Sequence, residues 1–280
     1  MSSNDTAGRS QPLENAYEGV EAATNFADAA EEQRYRRMVL EKSRHHADFI
    51  RRHLGEPSSV LEACCGNGRL LMALRGQHRA LFGYDLAASR IAFAQRWIEE
   101  EAAGDVEVWV DDSCRPSARA TGLETDLVVC ITGAFGYFGA LDDAQEQNAV
   151  DGMAAALRPG GSLVLELYTH PEVMALLRAS RSGAARIWQE FPANDPFRYL
   201  LSSYRYDAGR RVLVHDKTFI RRADGAVDDS RRESLKIHDA DSIAALLQGR
   251  FEAVHLFGDW DDRPVGDDAP RLIVLATGRQ

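Results

Sequence analysis

The stretch "VLEACCGNGRL", Val60–Leu70, sets one acidic residue, Glu62, ahead of two glycines separated by a single residue. An apolar run, a glycine pair and the onset of helical spacing read as strand, turn and helix. Gly66 and Gly68 lack a Cβ and tolerate positive φ, so the backbone between them can pass close beneath a ligand. Outward from this turn, "ALFGYD", "VEVWVDD", "TDLVVCI" and "SLVLELY" read as short strands. The stretches "GRLLMALRG", "AASRIAFAQRWIEEEAAG" and "LDDAQEQNAVDGMAAALRPGG" between them carry helical spacing. Strands alternating with helices predict an α/β fold with a doubly wound, mostly parallel sheet, helices covering both faces.

Ahead of this unit, "EEQRYRRMVLEKSRHHADFIRRHL" predicts an amphipathic helix, with Tyr35, Met38, Val39, Lys42, His46, Phe49, Ile50 and His53 at three-to-four spacing. Beyond His170 the rhythm changes. A helix at "PEVMALLRAS" precedes "ARIWQEF", "FRYLLSSYRYD", "RRVLVHDKTFIRR" and "VDDSRRESLKIH", joined by the hairpin turns "DAGR" and "ADGA". These predict an antiparallel meander inserted into the main sheet. A last helix, "DADSIAALLQG", leads to the closing strands "FEAVHLF" and "RLIVLATG". The expected organisation is an arm and cover helix over 1–56, a ligand-binding core over 57–170, a helix and antiparallel insertion over 171–238, and closing elements of the core over 239–280.

Composition narrows the function. The 280 residues carry 33 basic and 43 acidic side chains, a net charge of −10, which argues against a nucleic-acid partner. No apolar run reaches the roughly 20 residues that span a bilayer, and the N-terminus lacks a secretory signal, so the expectation is a cytoplasmic protein without a membrane partner. Cys64, Cys65, Cys114 and Cys130 follow no paired spacing and, with no histidines at ligand spacing, predict packed thiols and no metal.

Ligands of open parallel sheets sit at the carboxyl ends of the strands. "GYD" puts Asp85 at that edge, where acids accept hydrogen bonds from ribose hydroxyls, and "VDDSC" puts Asp111 and Asp112 where an adenine amino group is received. Four acids along one rim repel a diphosphate and suit a ligand with positive charge. Leu71 stands where a dinucleotide fingerprint needs a small residue.

With these residues the chain resembles the class I S-adenosylmethionine-dependent methyltransferases. "VLEACCGNGRL" is similar to their first motif, "GYDLAASRIAFAQ" to the ribose-binding acid and its helix, "VDDSC" to the adenine-contacting turn, and "TDLVVCITGAFGYF" and "LRPGGSLVLEL" to the fourth and fifth strands. "FGYF", "PGGSLVLEL" and the inserted strands resemble the small-molecule members, such as glycine and amino-sugar N-methyltransferases. The resemblance implies a Rossmann-like seven-stranded sheet and S-adenosyl-L-methionine as cofactor. It implies that Glu62 positions the first turn, with the backbone of Ala63, Cys64, Gly66 and Gly68 near the methionine moiety. It further implies Asp85 at the ribose, Leu86 beside the adenine, Asp112 and Ser113 at its amino edge, and Ile131 and Thr132 beside the reactive methyl. Cysteines at 64 and 65 depart from the motif, which usually carries Asp and small residues.

Methyl transfer requires alignment and exclusion of water, and a base only when the acceptor arrives protonated. Tyr137, Glu166, Tyr168 and His170 lie on the ligand edge, and the resemblance implies that Tyr17 folds over the site with the arm, as N-terminal segments do in similar enzymes. Each has a plainer reading: loop packing for Tyr137, a carboxylate bracing the cofactor region for Glu166, a helix cap for His170, a solvated tail for Tyr17. His215 and Asp216 are adjacent in a strand and point to opposite faces, and Arg198, Tyr199, Tyr204 and Arg205 either recognise a carboxylate or form a solvent face. The expected reaction is methyl transfer to a small-molecule acceptor, with nitrogen ahead of oxygen and carbon. A nicotinamide oxidoreductase, a non-catalytic cofactor-binding module and self-association into a homo-oligomer stay open.

Overall fold

The computed structural model describes residues 26–76, 80–191 and 197–280. Helix α1 (Ala29–Leu54) opens on Asp28, whose carboxylate accepts from the Glu31 amide, and stops at Gly55 with φ 71°. Its buried face comprises Val39, His46, Phe49 and Ile50, as the spacing predicts, together with Arg36, Ser43 and Ala47, whereas Met38 and Lys42 are exposed. Arg36 tolerates burial because it pairs with Glu32 and Glu100 and lies over the Phe93 and Trp97 rings.

The core alternates β1 (Ser59–Ala63), α2 (Arg69–Leu74), β2 (Ala80–Asp85), α3 (Ala88–Glu100), β3 (Val106–Val110), α4 (Ala118–Thr121) and β4 (Thr125–Cys130). There follow α5 (Phe135–Leu141), α6 (Asp143–Ala155), β5 (Leu157–Tyr168) and α7 (Pro171–Ala179). With β10 (Phe251–Phe257) and β11 (Arg271–Arg279), the strands form a seven-stranded sheet in the order β10-β11-β5-β4-β1-β2-β3. The five strands from β5 to the β3 edge run parallel, and β11 pairs antiparallel with both β5 and β10. Helix α8 (Ala240–Leu247) carries a capping box between Asp239 and Ser242 and leads into β10. Alternate strand residues feed two apolar layers. Leu61, Ala63 and Val128 join one, and Val60, Leu127 and Val129 the other.

Two expectations are corrected. "FGYF" is not a packed loop but the first turn of α5. The meander, β6 (Ala184–Glu190), β7 (Phe197–Asp207), β8 (Val212–Arg221) and β9 (Val227–Lys236), does not enter the main sheet. It forms a four-stranded sheet of its own, order β6-β7-β8-β9. Its β9 edge is closed by α5, where Gly136 fits against Leu235 and the Lys236 carbonyl. Among the described residues no helix is long and apolar enough to cross a membrane.

Candidate functional site

Three left-handed residues shape the turn after β1: Cys64 at φ 59°, Gly66 at 54° and Gly68 at 74°. The turn is tied down by Cys65 N–H donating to the Tyr84 carbonyl and Gly68 N–H to that of Cys65, both 2.9 Å. Leu71, too large for a dinucleotide fingerprint, is accommodated from the other side. A Cβ on Gly83 of β2 would lie 2.6 Å from Leu71 Cδ1, so the small residue that permits close helix–strand packing sits on the strand. "FGYD" therefore carried a signal that the first motif alone lacked.

Glu62 is 3% exposed. Burial pushes its carboxyl up to about 8, against the opposing pull of Arg69 and a hydrogen bond from the Leu71 amide. That amide belongs to the first turn of α2, whose N-cap Gly68 has no side chain to offer, so a strand carboxylate caps the helix. Its Oε2 is buried without a hydrogen-bond partner. A lone buried oxygen of this kind is costly unless a donor arrives.

Asp85 ends β2, its Oδ2 accepting from the Gly66 amide at 2.8 Å and its Oδ1 from Ala87 at 2.9 Å. Each oxygen keeps a further lone pair for a ligand. Leu86 beside it is half-buried. The Arg90 guanidinium rests on Gly66, where a Cβ would approach it to 2.7 Å. On the neighbouring turn Asp112 accepts from Cys114 N–H at 2.9 Å and pairs with Arg115. Asp111 leaves the expected set: its carboxylate accepts from Trp109, Asp112 and Ser117, holding it below its usual value despite burial. It braces the turn, and the rim keeps three acids. Ser113 meets Cys64 Sγ at 3.2 Å and hydrogen-bonds Tyr84, and Cys64 meets Cys130, so these thiols line the floor as free cysteines.

After β4, Ile131 is buried and Thr132 adopts φ 60°, an uncomfortable conformation for a β-branched residue. Glu166 holds it there. Its Oε2 accepts from the Thr132 amide at 2.5 Å, while Oε1 accepts from Trp260 Nε1 at 3.2 Å and faces Arg271 Nε at 2.7 Å. Through these contacts Glu166 positions the loop, and its Oε2, with one donor, keeps a further lone pair. Burial nevertheless raises its pKa. Gly133, at φ 71°, seats the Tyr168 ring directly on its Cα, and the His170 ring stands edge-on to Tyr168 at 5.9 Å. His170 is left-handed (φ 51°, ψ 51°) at the N-cap of α7 but makes no side-chain cap, so capping does not explain it. Its Nε2 is buried without a hydrogen-bond partner, and burial holds the imidazole below its usual 6.5, partly offset by Glu233.

Tyr168, His170, Glu172, Arg178, Asp267, Asp268 and Arg271 are among the residues lining a cavity of about 840 Å³ at the ends of β5 and β11, which therefore carries three acids and two arginines. Across from His170 the inserted sheet presents His215, pushed down to about 4 by burial and Lys217, stacked on Tyr204 at 4.1 Å and bonded to Ser202 at 2.9 Å. Asp216 points to the opposite face and pairs with Arg205 and Arg232. Arg198 pairs with Glu190 and covers Tyr199, a surface arrangement. Tyr137 is half-buried on α5, and Tyr17 lies outside the described residues. The sequence reading missed Arg69 and His46. Arg69 donates to Ser43 Oγ at 3.0 Å and bears electrostatically on Glu62, Glu166 and His46. His46 is driven to about 2 by burial, and its Nε2 lies 3.9 Å from Glu166. Among the described residues no cluster could hold a metal.

Residues 60–161, the turn with its acids, match the methyltransferase domain family. The chain carries a methyltransferase domain. Solved structures that share this fold include S-adenosylmethionine-dependent methyltransferases, one of them bound to that methyl donor. No curated protein sequence matches. Among solved structures, this methyltransferase is similar to an S-adenosylmethionine-dependent methyltransferase from Clostridium acetobutylicum, at 13% identity and TM-score 0.67 over 85% of this chain and 92% of that one. It is also similar to an amino pentose methyltransferase from Micromonospora echinaspora, at 19% identity and TM-score 0.62 over 90% and 98%. A sugar N-methyltransferase from Streptoalloteichus matches at 21% identity and TM-score 0.57 over 100% and 97%. At these identities the likeness is one of fold.

Proposed function

We propose that this methyltransferase acts on the amino group of a small, hydroxylated molecule, with His170 as the base. The donor supplies an electrophilic methyl on a sulfonium. The chain's residues fit that donor: Glu62 Oε2 lacks a partner and suits an ammonium group, Arg69 suits a carboxylate, Asp85 a pair of ribose hydroxyls, and Asp112 with Ser113 an adenine amino edge. Ala63, Cys64, Gly66 and Gly68 bring backbone to it, Leu86 flanks it, and Ile131 and Thr132 stand where the methyl is passed.

The observation that carries the acceptor reading is the His170 imidazole. It is neutral near pH 7, its buried Nε2 has no hydrogen-bond partner, and its ring lines the cavity that carries Glu172, Asp267 and Asp268 together with Arg178 and Arg271. The three acids outnumber the two arginines there, and an amine arrives as a cation. His170 takes the ammonium proton on Nε2, which frees the nitrogen lone pair to attack the methyl along the carbon–sulfur axis. The bond to sulfur breaks, leaving a thioether and a methylated ammonium. A hydroxyl acceptor would not need the acidic rim. The amino pentose and sugar N-methyltransferase neighbours support this choice, as they do a place in specialised metabolism.

The test pairs an amino sugar with its hydroxyl counterpart, with product mass read after incubation with S-adenosylmethionine. Methylation of the amine is expected, with kcat/KM rising as pH climbs through a value below 6.5. His170→Ala should lower kcat/KM by about 10²–10⁴-fold and remove that limb. Methylation of the hydroxyl sugar alone, or an unchanged pH profile in the variant, overturns the proposal.

A further inference from the structure

The inserted sheet has one closed edge and one open one. Helix α5 covers β9, whereas β6 pairs only with β7 among the described residues. An open edge strand presents unpaired amides and carbonyls that template another strand. Which residues present them follows from the ladder. The Phe191 amide donates to the Arg198 carbonyl, in line with a register in which Gln189 faces Leu200 and Ile187 faces Ser202. The odd-numbered residues of β6 therefore bond inward, and Arg186, Trp188 and Glu190 turn both backbone groups outward.

These same three residues share one face, the face of Leu201 on β7 and Asp216 on β8. Residues 186–190 are all exposed, Trp188 to 67%, and Leu201 directly across from it to 43%. A tryptophan this open, with no proline or lysine in β6 to discourage pairing, is unusual for an edge. We propose that β6 pairs antiparallel with β6 of a second copy of this chain about a two-fold axis at Trp188, forming a continuous eight-stranded sheet.

The charge pattern fits that register and no neighbouring one centred on a charge. With Trp188 opposite the partner's Trp188, Arg186 of each copy faces Glu190 of the other. Centring on Arg186 or on Glu190 brings like charges together, which disfavours the pairing. All three facing pairs are made by residues with outward backbone groups, so each exchanges two hydrogen bonds with its partner. The paired Trp188 rings, with Leu201 beside them, bury the apolar patch. Such an isologous contact closes on itself and stops at the dimer. It leaves the opposite face of the sheet, with His215 and Glu233, turned towards His170.

The full chain should sediment as a dimer at micromolar concentration. Arg186→Glu sets two like-charge pairs in place of two attractive ones and should weaken the dimer at least about tenfold, and Trp188→Lys should weaken it further. The double swap Arg186→Glu with Glu190→Arg should restore it to within about threefold of the parent. Circular dichroism and S-adenosylhomocysteine binding confirm that each exposed-site variant is folded. A monomeric parent, a dimer indifferent to both single substitutions, or a double swap no better than Arg186→Glu alone each overturns the proposal.

Discussion

Glu62 shows how one carboxyl records the absence and arrival of a ligand. In the free protein burial lifts it to about 8, so it is mostly protonated at neutral pH. Because the folded value exceeds the ordinary 4.5, the proton stabilises the fold. That contribution is full below about 4.5 and is lost as pH rises towards 8. An ammonium set against Oε2 reverses the preference, and the carboxyl must give up its proton as the donor binds. Affinity for S-adenosylhomocysteine should therefore weaken as pH falls below about 8, with proton release detectable by calorimetry in two buffers of different ionisation heat. Glu62→Gln should bind at least about tenfold more weakly and lose the release in that window. Equal proton release in the variant would assign it to another group.

At the scale of elements, the post-β4 loop owes its shape to Gly133 and Glu166 together. An alanine at 133 would hold an unfavourable φ and drive its methyl into the Tyr168 ring. Gly133→Ala should cost about 1–3 kcal/mol in thermal denaturation and cut kcat more than donor affinity. Adding Tyr168→Ala should return part of the stability, leaving the strain of φ. No recovery in the pair would place the cost elsewhere. The strands and helices of the core were legible because their periodicity is local: "ALFGYD" and "TDLVVCI" need no partner to be read. Gly83 escaped notice because its partner, Leu71, lies across a helix–strand contact. The commitments of Glu166, to Thr132, Trp260 and Arg271, were not legible because they come from 34 to 105 residues away. "FGYF" gave no helical period of its own; α5 is set by the β4 exit and by β9. His46 looked like one more position on an apolar stripe, and only the fold sets it beside Glu166.

For the whole molecule, the question is what fixes the inserted sheet to the core, since β9 carries Glu233 towards His170. The answer is a buried joint on Glu146 of α6, 2% exposed. His238 Nε2 meets its Oε1 at 2.8 Å and Lys236 Nζ its Oε2 at 2.6 Å, with Lys236 also on Asp143 at 2.8 Å. Burial pushes the Glu146 carboxyl up, but His238 and Lys236 outweigh it and hold it below 4.5. A depressed folded value means that this contribution is present above about pH 4.5 and lost as pH falls through the folded pKa. Glu146→Ala would leave the buried His238 imidazole without its acceptor, while Lys236 keeps Asp143, a cost of about 1–3 kcal/mol, or roughly 5 °C in Tm for a chain of this size. Replacing Glu146 together with both of its partners, Glu146→Leu with Lys236→Met and His238→Phe, should return most of that loss, because no buried polar group is then left without a partner. Scanning calorimetry reads both effects. Steady-state kinetics should show a raised acceptor KM with donor affinity unchanged, since Glu62 and Asp85 on β1 and β2, and Asp112 on the turn after β3, lie on elements the joint does not touch. An unchanged Tm in Glu146→Ala would mean that the sheet is held by α5 and α7 alone.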